Sequence, residues 1–451
     1  MLFAFSSLLT ACNQDSKDII LDGISIGDQA TEVKLKAISA DNKTSTGVHL
    51  SGGITDLDNN YAITDIGFVI SSGNNQPDTS DLIYSFGKAS MTFTFDSTII
   101  DLSPNTVYYA RTYVLTSKGA GYGNVLAFQT SESPADVIVI NEGNFSSGDG
   151  SFSTYNSLTN EVSLSVFAAA NGFPVAGTVQ NARVFNGNIY ATTNDADKLE
   201  VFDQETFVSK AYINSGLNSP FDFAAIGDKG YVTNWGTLNY DTYAWENSFI
   251  AVVDLKTNTI SNTINLEEQP QHILAVGNSF YVANVSGNTI SVYSANDDSK
   301  QADISVSAGP DNMVLDKGGN IWVMCTSGNL VQIDPSSNSV IKTISNVQNS
   351  GYNEKLTIDA KGENIYYLAS SGWPDYNTNI YSISIDVTEV SKDPVISGTN
   401  YYGIGVSPGG MIYVSDANAF QGNGTVYTYD LKGNQIETFA AGRGPNGFIF
   451  R

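Results

Sequence analysis

Residues able to move protons or to hold a metal are sparse in this chain, which carries two His and two Cys. Neither His49 nor His272 lies beside a plausible nucleophile in sequence, so Ser-His-Asp and Cys-His arrangements are poorly supported. No P-loop, H-E-x-x-H or G-x-S-x-G stretch is present. A four-ligand zinc site would have to use Cys12 at the extreme N-terminus together with Cys325, His49 and His272, so no structural metal is expected. Cys325 falls in an apolar strand and reads as a buried, inert thiol. Asp195, Asp197, Asp241, Glu246, Asp375 and Asp416 fall in loops. They would suit an acid/base pair or a calcium ion, but no EF-hand spacing supports either, and they read as solvated loop acids. No catalytic residue and no cofactor is expected.

The residues that do concentrate are aromatic. Phe145, Trp235, Tyr240, Tyr243, Trp245, Trp373, Tyr376 and Phe420 lie in long loops, with Tyr352, Tyr401, Tyr402 and Arg443 on the connections that return to the next unit. Three of the four Trp are in these loops. Rigid aromatic side chains bury large area at small entropic cost, so this set is the candidate ligand-binding site.

A repeat places them. Short apolar strands ending in a small residue or Asn/Asp recur at 138–141, 190–193, 231–234, 281–284, 322–325, 366–369 and 413–416, most of them beginning with Tyr. Each is followed by a second strand that ends on a polar turn, as at Asp203, Asp254, Asp334 and Asp430. A period of about 40 to 52 residues with several strands per unit is the mark of a β-propeller. Segments opening on Pro220, Pro270 and Pro310, and the segment 401–404, read as the innermost strands. The chain enters on a second strand and ends on 444–450, which reads as the missing innermost strand of the first blade, so the ends of the ring are tied together. Up-and-down topology then puts the aromatic loops on one face and the short polar turns on the other. The expected fold is all-β: a seven-bladed β-propeller over residues 136–451, preceded by a small β-sandwich over 18–132.

In that first module, Leu102-Ser103-Pro104-Asn105-Thr106-Val107-Tyr108 resembles the L-x-P-x-T-x-Y signature of fibronectin type III-like and immunoglobulin-like domains, with Tyr108 as the corner tyrosine. Residues 131–135 read as a polar linker. Residues 1–17 read as a signal and tether: a short apolar run stops at Leu9-Thr10-Ala11-Cys12, which resembles a lipobox with Cys12 as the acylated residue. The net charge of −25 opposes nucleic acid and anionic lipid surfaces.

The second module resembles the YncE-like surface-lipoprotein propellers of Bacteroides-type bacteria, which include the BtuG-type cobalamin-binding proteins. Asn141-Glu142-Gly143-Asn144-Phe145, Thr154-Tyr155-Asn156, Tyr401-Tyr402-Gly403-Ile404 and Gly424-Thr425-Val426-Tyr427-Thr428-Tyr429 carry the resemblance. It implies a lipid-anchored, surface-exposed protein of the outer membrane that captures a small nutrient, a corrinoid among the candidates, and passes it to a TonB-dependent transporter. The loops around Trp235 and Trp373 follow no ligand-specific motif, so the alternatives are a cell-surface adhesion or protein-interaction scaffold, and a propeller lyase or hydrolase.

Overall fold

The computed structural model describes residues 19–20, 34–41, 43, 46–56, 62–89, 91–117, 119–131, 135–145, 147–351, 354–371, 377–387 and 389–451. Cys12 and the signal and tether segment, as well as Tyr352, Trp373, Asp375 and Tyr376, lie outside them. The chain divides into two compact units, Met1–Pro134 and Ala135–Arg451.

The first unit is built of two antiparallel sheets. One is centred on Ile63–Ser71 and Val107–Thr116, and the other contains Lys34–Asp41, Val48–Asp56 and Phe93–Ile99. Alternate residues point inward, so Val48 and Leu50 of one sheet meet Ile66, Phe68 and Val114 of the other in a single apolar core. Tyr108 is held as the corner motif predicts: its hydroxyl accepts the Ser103 backbone N–H at 2.9 Å.

Among its described residues the second unit contains seven four-stranded antiparallel sheets. Their innermost strands pack one against the next around a closed ring, in the order Val179–Phe185, Pro220–Ile226, Pro270–Val276, Pro310–Leu315, Leu356–Ile358, Tyr401–Val406 and Pro445–Phe450, which returns to the first. This is a β-propeller, and its closure is the one expected. Pro445–Phe450 pairs with Val137–Asn141, so strands from the two ends of the unit share one sheet.

The repeated Tyr has a physical reason. Tyr231 of one sheet stacks on Phe280 of the next at 4.0 Å, and its hydroxyl reaches the next sheet's outer turn at Asp298 Oδ1, 3.1 Å away. Tyr281 repeats this one sheet later, donating to Asn338 Oδ1 at 2.9 Å. The ring thus seals an apolar seam while its hydroxyl finds an acceptor, which a buried Tyr requires. The Asp at the end of four of the third strands, at 203, 254, 334 and 430, is explained too. Asp254 accepts the N–H groups of Lys256 and Thr257 (2.8 and 3.1 Å), and Asp334 and Asp430 hold their turns in the same way.

Candidate functional site

On the opposite face, among the described residues, loops that follow a second strand are stitched to the connections leading into the innermost strands. Trp235 N–H donates to Ser219 O, Val285 N–H to Gln269 O, Thr326 N–H to Gly309 O and Gly424 N–H to Gly442 O. The innermost strands then begin irregularly. Pro220 pairs with Asn234, but the register shifts before Phe223, and the same bulge follows Pro270 and Pro310. Pro has no N–H to give to a ladder, and a bulge re-aims the residues within it. The bulged residues are Phe221 and Asp222, Gln271 and His272, Asp311 and Asn312; shifts at Gln180, Tyr402 and Asn446 complete the set.

These residues make a connected polar network. Arg183 grips Asp222 through two parallel hydrogen bonds, Nε to Oδ1 and Nη2 to Oδ2, both 2.9 Å. His272 Nδ1 lies 2.9 Å from Asp222 Oδ2, and its Nε2 lies 3.5 Å from Asp311 Oδ1. Asp311 Oδ2 accepts the Glu354 N–H at 2.7 Å. The Glu354 carboxyl accepts Asn349 Nδ2 and the N–H groups of Ser350 and Gly351. On the far side of the ring Glu142 accepts from Tyr402 Oη, Asn446 Nδ2 and Gln180 Nε2.

Burial sets the electrostatics. It raises Asp311, Glu142 and Glu354, and it alone would raise Asp222 as well, but Arg183 and His272 outweigh it there and hold that carboxyl below the usual range. Glu354 is pushed up from 4.5 to about 7 by desolvation, against its three donors and with the help of Asp311. A carboxyl raised in this way takes up a proton on folding. Its stabilising effect is complete below the unfolded value and is lost as the pH climbs through the window from 4.5 to about 7. At about 1.4 kcal/mol per unit the loss is on the order of 3 kcal/mol. The melting midpoint of the second unit is therefore expected to fall between about pH 5 and pH 8, and Glu354→Gln should flatten that fall. Calorimetry that finds the same pH slope in both proteins would refute the assignment.

The aromatic residues named from sequence divide between this centre and the periphery. Trp235 stacks on Phe221 (4.8 Å) and packs against Trp245 (5.0 Å), and Phe221 meets His272 edge-on at 5.2 Å. An aromatic stack therefore runs from the loops to the polar ring. Trp245 sits on a small hairpin, Thr237–Asn239 paired with Ala244–Glu246, and Trp235 precedes it. Its root needs Gly236 (φ +86), where a Cβ would lie 2.1 Å from the Glu246 carbonyl oxygen. Tyr240 and Tyr243 at its tip are 77% and 80% exposed, and Phe145 is 69% exposed. Tyr402 and Phe420 meet edge to face at 5.2 Å beside Glu142. Tyr401 turns into the sheet, where its hydroxyl bonds that of Tyr429 at 2.8 Å. Arg443 pairs with Asp149 at 2.7 Å and lines a separate cleft of about 300 Å³ with Phe167, Pro174 and Asn423.

The loop acids named from sequence tie backbone. Asp195 accepts the Thr178 N–H, Asp197 that of Ser219, and Asp416 that of Asn418, while Glu246 accepts Asn239 Nδ2 and Asp241 is exposed. Among the described residues no group of three or more His, Cys, Asp or Glu is placed to hold a metal ion. Cys325 is fully buried, and desolvation, then Asp311 and Glu354, push its thiol up to about 12.

Of the central network, Arg183, Asp222, Asp311, Glu354 and Lys355 were not among the residues singled out from sequence, and His272 and Glu142 were named there for other reasons. The available signal was Pro-x-Asp at 220–222, Pro-x-His at 270–272 and Pro-Asp-Asn at 310–312, polar residues one or two positions after a repeated Pro where a sheet interior would be apolar.

The chain belongs to the family described as domain of unknown function DUF5074, which residues 136–446 match. No curated protein matches the sequence. Among solved structures it is similar to a quinoprotein alcohol dehydrogenase-like protein from Bacteroides thetaiotaomicron, with 14% identity, a TM-score of 0.55 and coverage of 90% of this chain and 95% of that one. At that identity the likeness bears on the propeller fold alone. The chain is also similar to hydrazine synthase from Kuenenia stuttgartiensis (16% identity, 58% of this chain and 85% of that one, TM-score 0.44). A third similar structure is the β-propeller domain of Cps50 from Myceliophteria thermophila (11% identity, 58% and 87%, TM-score 0.43).

Proposed function

We propose that this propeller is a binding protein that captures a small nutrient at the face bearing the aromatic loops and delivers it to a TonB-dependent outer-membrane transporter. One observation carries it: the stack of Trp245, Trp235 and Phe221 ends against His272 in a buried polar ring. An apolar wall leading to a few fixed polar groups is the common plan of small-molecule sites. A corrinoid is the first ligand to test, because the sequence resembles the cobalamin-binding propellers. On this reading Cys12 carries the lipid anchor, the protein faces the cell exterior, and the first unit serves as a fibronectin type III-like or immunoglobulin-like spacer.

The test is a titration of the pure protein with cyanocobalamin, a ferric siderophore and a glycan mixture, followed by tryptophan fluorescence. One of these is expected to bind with a change in emission, and Trp235→Ala should weaken it by ~30-fold or more, since a buried aromatic anchor contributes about 2 kcal/mol or more. A full screen with no binding would refute capture. A second reading, a protein-interaction scaffold, draws on the exposed Tyr240 and Tyr243 at the hairpin tip. Recovery of a stoichiometric protein partner that Tyr240→Ala and Tyr243→Ala abolish would favour it.

A further inference from the structure

Lys355 is the cation of the central ring that no described carboxylate contacts: Glu142, Asp311 and Asp222 attract it, but none of them forms an ion pair with it. Among the described residues its Nζ has no hydrogen bond and no ion pair, and the feature it faces is the ring of Tyr402, 5.6 Å away at the centroid. The carboxylates around it are already engaged. Asp222 is held by Arg183 and His272, Asp311 takes the Glu354 N–H, Glu354 has its own three donors, and Glu142 has Tyr402, Asn446 and Gln180.

Arg183 stands close enough to Lys355 to repel it. It uses Nε and Nη2 on Asp222, and among the described residues Nη1 has no partner. Desolvation acts on both cations, yet the Arg183 side chain keeps 44% of its surface accessible. A group that is both surrounded by protein and open to solvent lines a lumen. Two cations with unused N–H donors are thus held in one channel, in a chain whose net charge is −25. Oxyanions are the partners that use such donors best.

We infer that the centre of the ring binds an oxyanion, the carboxylate or phosphate group of the captured ligand, between Lys355 and Arg183. The inference rests on the reading of this face as a ligand site and adds the chemistry the ligand must present. The aromatic stack receives the ligand's apolar body and the two cations receive its acidic end.

Calorimetric titration of the full chain with inorganic phosphate and with acetate tests it. At least one anion is expected to bind the wild type, and the tighter of the two names the group. Lys355→Met should weaken that binding ~10- to 100-fold, while Lys355→Arg retains it. A cooperative thermal transition in Lys355→Met separates loss of the anion from loss of the fold, and Lys355→Arg keeps the charge that offsets Glu142 and Asp311. No binding of either anion to the wild type, or equal binding to Lys355→Met, would overturn the site. A nutrient that changes Trp235 emission equally in wild type and Lys355→Met would overturn the anion site and leave capture standing. Lys355-dependent phosphate binding with no nutrient bound would do the reverse.

Discussion

Removal of residues 444–451 is expected to abolish cooperative folding of the second unit. The deleted segment contains the innermost strand Pro445–Phe450, whose ladder runs from Val137↔Phe450 to Asn141↔Pro445. Without it the first sheet presents an unpaired edge to the lumen, and Glu142 N–H loses its acceptor at Gly444 O. The neighbouring sheet suffers as well. Tyr413 packs on both Phe448 and Phe450 (5.7 and 5.2 Å), and Ser415 Oγ donates to Pro445 O. A sheet is lost from the ring and a seam is opened beside it, which exceeds the roughly 5–15 kcal/mol by which domains are stable. Circular dichroism on heating should show a broad, early transition in place of the wild-type one. A synthetic 444–451 peptide added in trans should restore part of it. A deletion variant that melts cooperatively at the wild-type midpoint would show that closure contributes nothing.

Asp222→Ala is expected to destabilise the second unit by roughly 1–3 kcal/mol, the usual effect of leaving buried hydrogen-bond donors unsatisfied, the Arg183 half of the pair being 44% accessible. Asp222 is fully buried, and it is the only carboxylate that Arg183 grips among the described residues. Its loss leaves the guanidinium and His272 facing each other, and the Ile273 and Phe223 N–H groups lose an acceptor. In urea the midpoint should drop with the slope unchanged. Asp241→Ala is the matched control. It removes an exposed acid at the hairpin tip and should stay within about 0.5 kcal/mol of wild type. Equal midpoints for the two variants would sink the claim that the central network is part of the propeller's stability.

The two sites differ in how far they can be read along the chain. Trp235 and Trp245 stand out because they belong to one continuous loop of unusual composition, and a loop's residues remain neighbours whatever the rest of the chain does. Asp222, His272 and Asp311 do not stand out, because each is one of only one or two polar residues following a Pro in an otherwise apolar strand. Arg183 and Asp222 are brought together only because adjacent innermost strands pack side by side. The acids that sequence reading did notice, among them Asp197 and Asp416, accept nearby backbone N–H groups and hold loops.

By itself the amino-acid sequence determined the propeller, its order of strands, the strand that closes it and the face on which aromatic loops gather. Those properties follow from local signals repeated along the chain: alternation, turn chemistry and a Tyr that must reach the next sheet. Only the tertiary structure decided what lies at the centre of that face. The centre is a ring in which each sheet contributes one or two residues, far apart in the chain, and whether they pair, repel or stand open depends on angles and distances that closure alone defines. On the proposed reading the aromatic loops, the first feature to suggest binding, are the wall of the site, and Lys355 with Arg183 its floor.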